Sequence, residues 1–258
     1  MGIGANMKKM LFFTALAASL LLACGGPSAK TLIKQGLYKC HDRLETAVRE
    51  VDRGGYTAAL RILEEIKFQC GGSPMMDTVY YYSALAHFRQ KQYEDARAEF
   101  ETLYRENPRS PFAEEAHYRI AQMRYTQSHP SFRDQTETKE AMRLLEDYTD
   151  LYPAGAFADS VKALYTSSLN KLAQKEFNNA LFYRKQSEHE AALIYYRAVL
   201  AEFPESKYAP EAVVGLAEML VLLGRTQDAQ EAIDELEPSA FEEDLRARIE
   251  AVREKLKG

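Results

Sequence analysis

An all-α architecture of about five stacked helix pairs is the fold class this sequence predicts, on three observations. Apolar residues recur at helical spacing along most of the chain, with almost no alternating strand pattern. A long motif returns: "YEDARAEFETLYRENPRSPFAEEA" from Tyr93 and "HEAALIYYRAVLAEFPESKYAPEA" from His189 align on Pro108 and Pro204. Both copies have alanine twelve residues before the proline (Ala96, Ala192), an aromatic eight before (Phe100, Tyr196) and serine two after (Ser110, Ser206). Alanines five and eight after it also match (Ala113, Ala116; Ala209, Ala212). Finally, 258 residues with 46% hydrophobic and 28% charged content are enough for a sizeable core.

The chain opens differently. Lys8 and Lys9 precede an apolar run from Met10 to Ala23, shorter than the roughly 20 residues that cross a bilayer and typical of a secretory signal. Leu21-Leu22-Ala23-Cys24 resembles the lipobox of bacterial lipoproteins. That resemblance implies a signal peptide over 1–23, lipidation of Cys24 and a short linker over 24–29. No Asp follows Cys24, which by the same resemblance implies the periplasmic face of the outer membrane.

Gly54-Gly55 predicts the turn of an antiparallel hairpin. Cys40 and Cys70 then sit at nearly the same height, as either a disulfide in an oxidising compartment or two small thiols packed between helices. Tyr56, Ala59, Leu63 and Ile66 repeat the i, i+3, i+7, i+10 stripe. So do Ala141, Leu145 and Tyr148 before Pro153, and Thr226, Ala229, Ile233 and Leu236 near the end. In each copy the alanine lets a partner helix approach and the proline stops the helix. With anchor alanines 37 to 51 residues apart, the pattern resembles the tetratricopeptide repeat (TPR), whose unit is about 34 residues of helix, turn, helix. Such units stack into a solenoid with a concave surface suited to binding. "SHPSFRDQT", Ser128 to Thr136, is an insertion ending in a helix N-cap. From Phe157 to Gln186 neither Gly nor Pro appears, which predicts one long helix or a helix pair. Phe241, Leu245, Ile249, Val252 and Leu256 stripe a last helix, expected to cap the array.

The chemistry of an enzyme is missing. No nucleophile elbow, paired-histidine zinc motif, CxxC pair or phosphate-cradling glycine loop appears, and the five histidines are scattered, so no cofactor or metal is expected. A net charge of −5, more negative once Lys8 and Lys9 leave with the signal, argues against nucleic acid. Sixteen Tyr and twelve Phe exceed what the core stripes use. Tyr80-Tyr81-Tyr82 span too much of a helix to face one core, so at least one is expected on a groove or surface, where tyrosine suits peptide capture.

Lipobox, repeats and insertion together resemble the BamD family, lipoproteins of the machinery that assembles β-barrels in the bacterial outer membrane. "HPSFRDQT" is similar to the family's insertion, and "LNKLAQKEFNNALFYRKQ" from Leu169 to its long helix with an aromatic pair, here Phe182 and Tyr183. Gly71-Gly72 stands where the family has proline. The resemblance implies a non-enzymatic scaffold in which residues 30–132 form a substrate half, 133–240 a docking half and 241–258 a capping helix. Its partners would be unfolded outer-membrane proteins, a barrel subunit with POTRA domains and accessory lipoproteins. Tyr81, Tyr82, Phe88 and Tyr118 are the candidate groove; Phe182, Tyr183, Arg184 and Glu188 are the candidate docking residues. A TPR scaffold coordinating cell division or peptidoglycan synthesis is the alternative.

Overall fold

The computed structural model describes residues 29–234, 236 and 242–257; the signal segment, Cys24 and Phe241 lie outside them. Eleven α-helices form among the described residues, and the chain divides into two compact units, one ending at Gln90 and one beginning at Lys91.

The first unit holds α1 (Ala29–Asp52), α2 (Tyr56–Cys70) and α3 (Met76–Arg89). Leu44, Ala47 and Val51 of α1 meet Ala59, Leu63 and Ile66 of α2 and Val79 and Ala86 of α3 in one buried cluster. The α1–α2 turn needs Gly54, whose φ of +85° places it in the left-handed region. Near the other end of α2, Cys40 and Cys70 are paired as a disulfide, their Cα atoms 6.6 Å apart.

The second unit holds α4 (Tyr93–Glu106), α5 (Ala113–Gln127), α6 (Thr136–Leu151), α7 (Ala158–Lys185) and α8 (His189–Glu202). It continues with α9 (Ala209–Leu222), α10 (Thr226–Asp234) and α11 (Glu243–Lys257). Residues 157–186 therefore give one helix rather than two, because the segment has no breaker and its stripe of Val161, Leu169, Leu172, Phe177 and Ala180 is buried along its length. Ile249 and Val252 of α11 are buried against Val214, Ala217 and Ile233.

Counted from α2, the helices form five pairs. The anchor alanines Ala59, Ala96, Ala141, Ala192 and Ala229 fall on the first helix of each, all with zero exposure. Within four pairs the turn has the same hydrogen bonds: a residue near the helix end accepts from the third residue on, which in turn accepts from the third beyond it. The triplets are Cys70/Ser73/Met76, Asn107/Ser110/Ala113, Tyr152/Gly155/Ala158 and Phe203/Ser206/Ala209. The serine that follows the repeat proline is thus the middle of this turn, and Gly71-Gly72 reaches the same turn without a proline. Gly155 replaces serine because a Cβ there would overlap the Tyr148 hydroxyl and the Glu114 carboxylate.

Between pairs a second turn recurs. Lys91 and Ser187, both at φ +61°, stand two residues before α4 and α8, as Gly54 and Gly224 stand before α2 and α10. Residues 128–135 interrupt this rule before α6. Gln135 there is 2% exposed, and its amide donates to the carbonyls of Pro130 (2.8 Å) and Asp134 (3.0 Å) while its oxygen accepts from Thr138 Oγ1 (2.8 Å). Just before α6, Asp134 accepts from Thr136 N at 3.2 Å. These bonds tie the insertion to the start of α6.

Two outcomes follow. The Cys40–Cys70 link closes a loop of sequence separation 30, so its reduction should cost the first unit about 3–4 kcal/mol; a lowered melting temperature under reductant, with two thiols alkylated only then, checks this. His117 is 3% exposed among Tyr104, Tyr148 and Tyr152, and burial pushes its pKa below 6.5. A folded-state pKa below the unfolded one means that the unfolded chain binds the proton first, so this contribution is whole above pH 6.5 and lost as pH falls. Urea titrations between pH 7 and 5 should show a shallower stability loss for His117→Phe than for the parent.

Candidate functional site

Three surfaces present side chains that the core does not use. The first is a cleft of about 800 Å³ between the insertion, the middle of α7 and the turn before α9. Tyr125, Phe132 and Tyr208 supply its rings, and Lys171 and Lys207 its charge; no carboxylate lines it. Phe132 is 72% exposed, with the Arg133 guanidinium 5.8 Å from its ring centre. Lys171 Nζ donates to Ser128 Oγ at 2.6 Å and lies 5.2 Å from the Tyr125 ring centre. Burial holds its pKa below the ordinary lysine value. Lys207 Nζ sits 5.1 Å over Tyr208, and Lys207 N donates to Asn170 Oδ1 at 2.8 Å. Aromatic faces beside two ammonium groups suit an extended chain carrying apolar and acidic groups. The sequence pointed to the insertion but not to Lys171 or Lys207, which reach the cleft from 43 and more residues away and carry no local signal.

The second surface is the α7–α8 turn, where Phe182, Tyr183, Arg184 and Glu188 come together. Ser187 allows this by its left-handed backbone, and Glu188 N donates to Tyr183 O at 3.0 Å. Phe182, 58% exposed, packs edge-on against Tyr183 at 5.3 Å, and Tyr183 stacks on Tyr195 at 5.2 Å with a 7° tilt. Leu181 and Ile194 are also exposed. Arg184 is held by Glu218 at 3.1 Å, so its charge is committed within the molecule.

The third surface lies on α3. Tyr81 and Tyr82 are half-buried and meet edge-to-face at 5.2 Å, while Phe88 is half-buried nearer the helix end. Tyr82 has its pKa raised by burial and by the Asp52 charge. Tyr80 and Tyr82 pack against the first unit's core. Tyr118 belongs to the second unit. It is 8% exposed and stacks on Phe157 at 5.1 Å, so it supports α5 and α7 from inside.

Two carboxylates position these surfaces. Glu114 Oε1 accepts from the Tyr148 hydroxyl at 2.6 Å and from Ala156 N at 2.5 Å, tying α5, α6 and the α6–α7 turn; burial and this carboxylate push the Tyr148 pKa up to about 12. Glu218 on α9 receives Arg248 of α11 in a two-pronged contact (2.8 and 3.0 Å) and Arg184 of α7. Neither was legible in sequence, because each joins helices through partners 30 or more residues away.

Residues 39–236 match the YfiO family, described as an outer membrane lipoprotein. The chain is 24% identical over 215 residues to the "outer membrane protein assembly factor BamD" of Caulobacter vibrioides, covering 83% of this chain and 70% of that protein. To the protein of the same description in Xylella fastidiosa it is 22% identical over 217 residues, covering 78% and 71%. Among solved structures it is similar to the TPR domain of P58(IPK), with a TM-score of 0.45 and 15% identity over 89% of this chain and 62% of that one. A TPR protein of Thermus thermophilus gives 0.37 and 20% over 83% and 98%.

Glu218→Gln should remove the charge that holds Arg184 and Arg248 together, costing about 1–3 kcal/mol and freeing α11. Thermal denaturation and limited proteolysis near residue 242 would register both effects.

Proposed function

The chain belongs to the YfiO family of outer membrane lipoproteins, and we propose that it is a non-enzymatic scaffold in the assembly of outer-membrane β-barrel proteins. The match over residues 39–236 carries this reading, since both relatives are described as outer membrane protein assembly factors. Lipid on Cys24 holds the protein to the periplasmic face of the outer membrane. Tyr81, Tyr82 and Phe88 receive an unfolded barrel substrate on the surface of α3. The cleft beside Phe132, Lys171 and Lys207 offers a second peptide-binding surface.

Phe182, Tyr183, Arg184 and Glu188 dock on the POTRA region of a barrel-forming subunit. Exposure of Phe182 beside Leu181 and Ile194 supports this choice, because an apolar ring framed by polar residues is the usual anchor of an interface. Accessory lipoproteins complete the assembly.

Co-purification from mild-detergent extracts, read by mass spectrometry against a Cys24→Ala control, tests the reading. Stoichiometric recovery of a large barrel protein with periplasmic domains is the expected result, weakened about tenfold in affinity by Phe182→Ala with helicity unchanged. Recovery of cell-wall synthases or division proteins in its place would overturn it.

A further inference from the structure

The apolar stripe of α1 outruns its partner. Cys40, Leu44, Ala47 and Val51 pack inward on α2 and α3, yet α2 ends at Cys70, opposite Cys40. The eleven residues before Cys40 therefore extend about 16 Å past the disulfide at 1.5 Å per residue. In the sequence, Leu32, Ile33 and Leu37 stand eight, seven and three residues before Cys40, at helical spacing from it. Lys30, Lys34 and Lys39 accompany them, and no acidic residue occurs between Ala29 and His41. Every residue whose burial is described from Lys30 to Lys39 is exposed, with Leu37 at 37%. Along the overhang a cleft of about 500 Å³ runs from Gly36, Leu37 and Lys39 to Gly71, Gly72 and Pro74.

We propose that residues 29–39 of α1 form an interfacial helix that lies on an anionic lipid surface. Three features of the chain choose lipid as the occupant. An apolar stripe beside lysines matches a boundary between acyl chains and negative headgroups, where lysine stems lie along the apolar layer and their ammonium groups reach the phosphates. The charge is wholly of one sign in the overhang of a chain whose net charge is −5, so this segment is opposite in sign to the chain as a whole. Only four residues separate Cys24 from Ala29, five steps of chain with a reach of about 18 Å when extended, so a lipid on Cys24 would deliver the overhang to the bilayer surface. The proposal rests on Cys24 lipidation for that delivery but not for the affinity of the helix itself.

The chain contains no tryptophan, so Leu37→Trp gives a single fluorescent reporter. In the lipidated protein on vesicles of phosphatidylethanolamine and phosphatidylglycerol, its emission should shift to shorter wavelength. Doxyl-labelled lipids should also quench it by half or more. Solvent-like, unquenched emission from vesicle-bound protein would overturn the proposal.

The unlipidated Cys24→Ala chain is assayed on the same vesicles at low salt. Its partitioning should fall about fivefold for each lysine removed, roughly a hundredfold for K30Q/K34Q/K39Q together. An intact mass without lipid would refute the Cys24 reading alone, and this second assay would still decide the helix: no partitioning, or partitioning indifferent to the lysines, sinks it. A spectral shift produced only by added protein and not by vesicles would assign the stripe to a protein partner and overturn the lipid surface.

Discussion

Close approach at five alanines is the constraint on which the rest of the architecture depends. Ala59, Ala96, Ala141, Ala192 and Ala229 are wholly buried because a neighbouring helix crosses there, and a larger side chain would force the pair apart. Large residues are then accepted only where the opposite wall is small. Tyr196 is almost wholly buried because Gly215 faces it, a position where a Cβ would overlap the tyrosine ring. The alternation of small and large residues thus sets the spacing of helices, and that spacing decides which side chains are left over for other work.

The turns convert this spacing into regular pairs. Within four of the pairs, a serine or glycine hinge carries the same two backbone hydrogen bonds; before α2, α4, α8 and α10, a left-handed residue precedes the helix. Where the second turn is replaced by residues 128–135, the chain must satisfy additional backbone groups away from any helix. Gln135 does so by donating to several loop carbonyls from a buried position, and Lys171 reaches across from α7 to Ser128. The insertion is therefore a rigid wall, which is why a cleft exists beside it.

Periodicity made the helix pairs legible: the anchor alanine and the large residue four positions after it name the same face in every copy, and all five anchors are buried where the stripe puts them. Gly54-Gly55 announced its hairpin through composition, whereas the equivalent turns at Lys91 and Ser187 were silent, since neither residue type signals a left-handed backbone. The docking candidates at Phe182–Glu188 share one turn, so local sequence sufficed to place them together. Tyr118 illustrates the opposite case. Surplus aromatic content points to exposed rings in general, but which ring is exposed depends on long-range partners, and Phe157 covers this one. The Glu114 and Glu218 junctions escaped notice for the same reason.

Charge separates what the repeat leaves equivalent. Among the described residues, the overhang of α1 in the first unit and the cleft of the second carry positive groups with no carboxylate in their lining. Other cations are paired within the molecule, as Arg124 is by Glu101, Glu137 and Glu140 and Arg248 by Glu211 and Glu218. Such pairing suits structural joints, because guanidinium groups bind two or three carboxylates in fixed geometry. The lysines at Lys30, Lys34, Lys39 and Lys207 are flexible point charges better suited to a surface or a chain that arrives from outside. At these two junctions the paired cation is arginine, while the overhang and the cleft carry lysine.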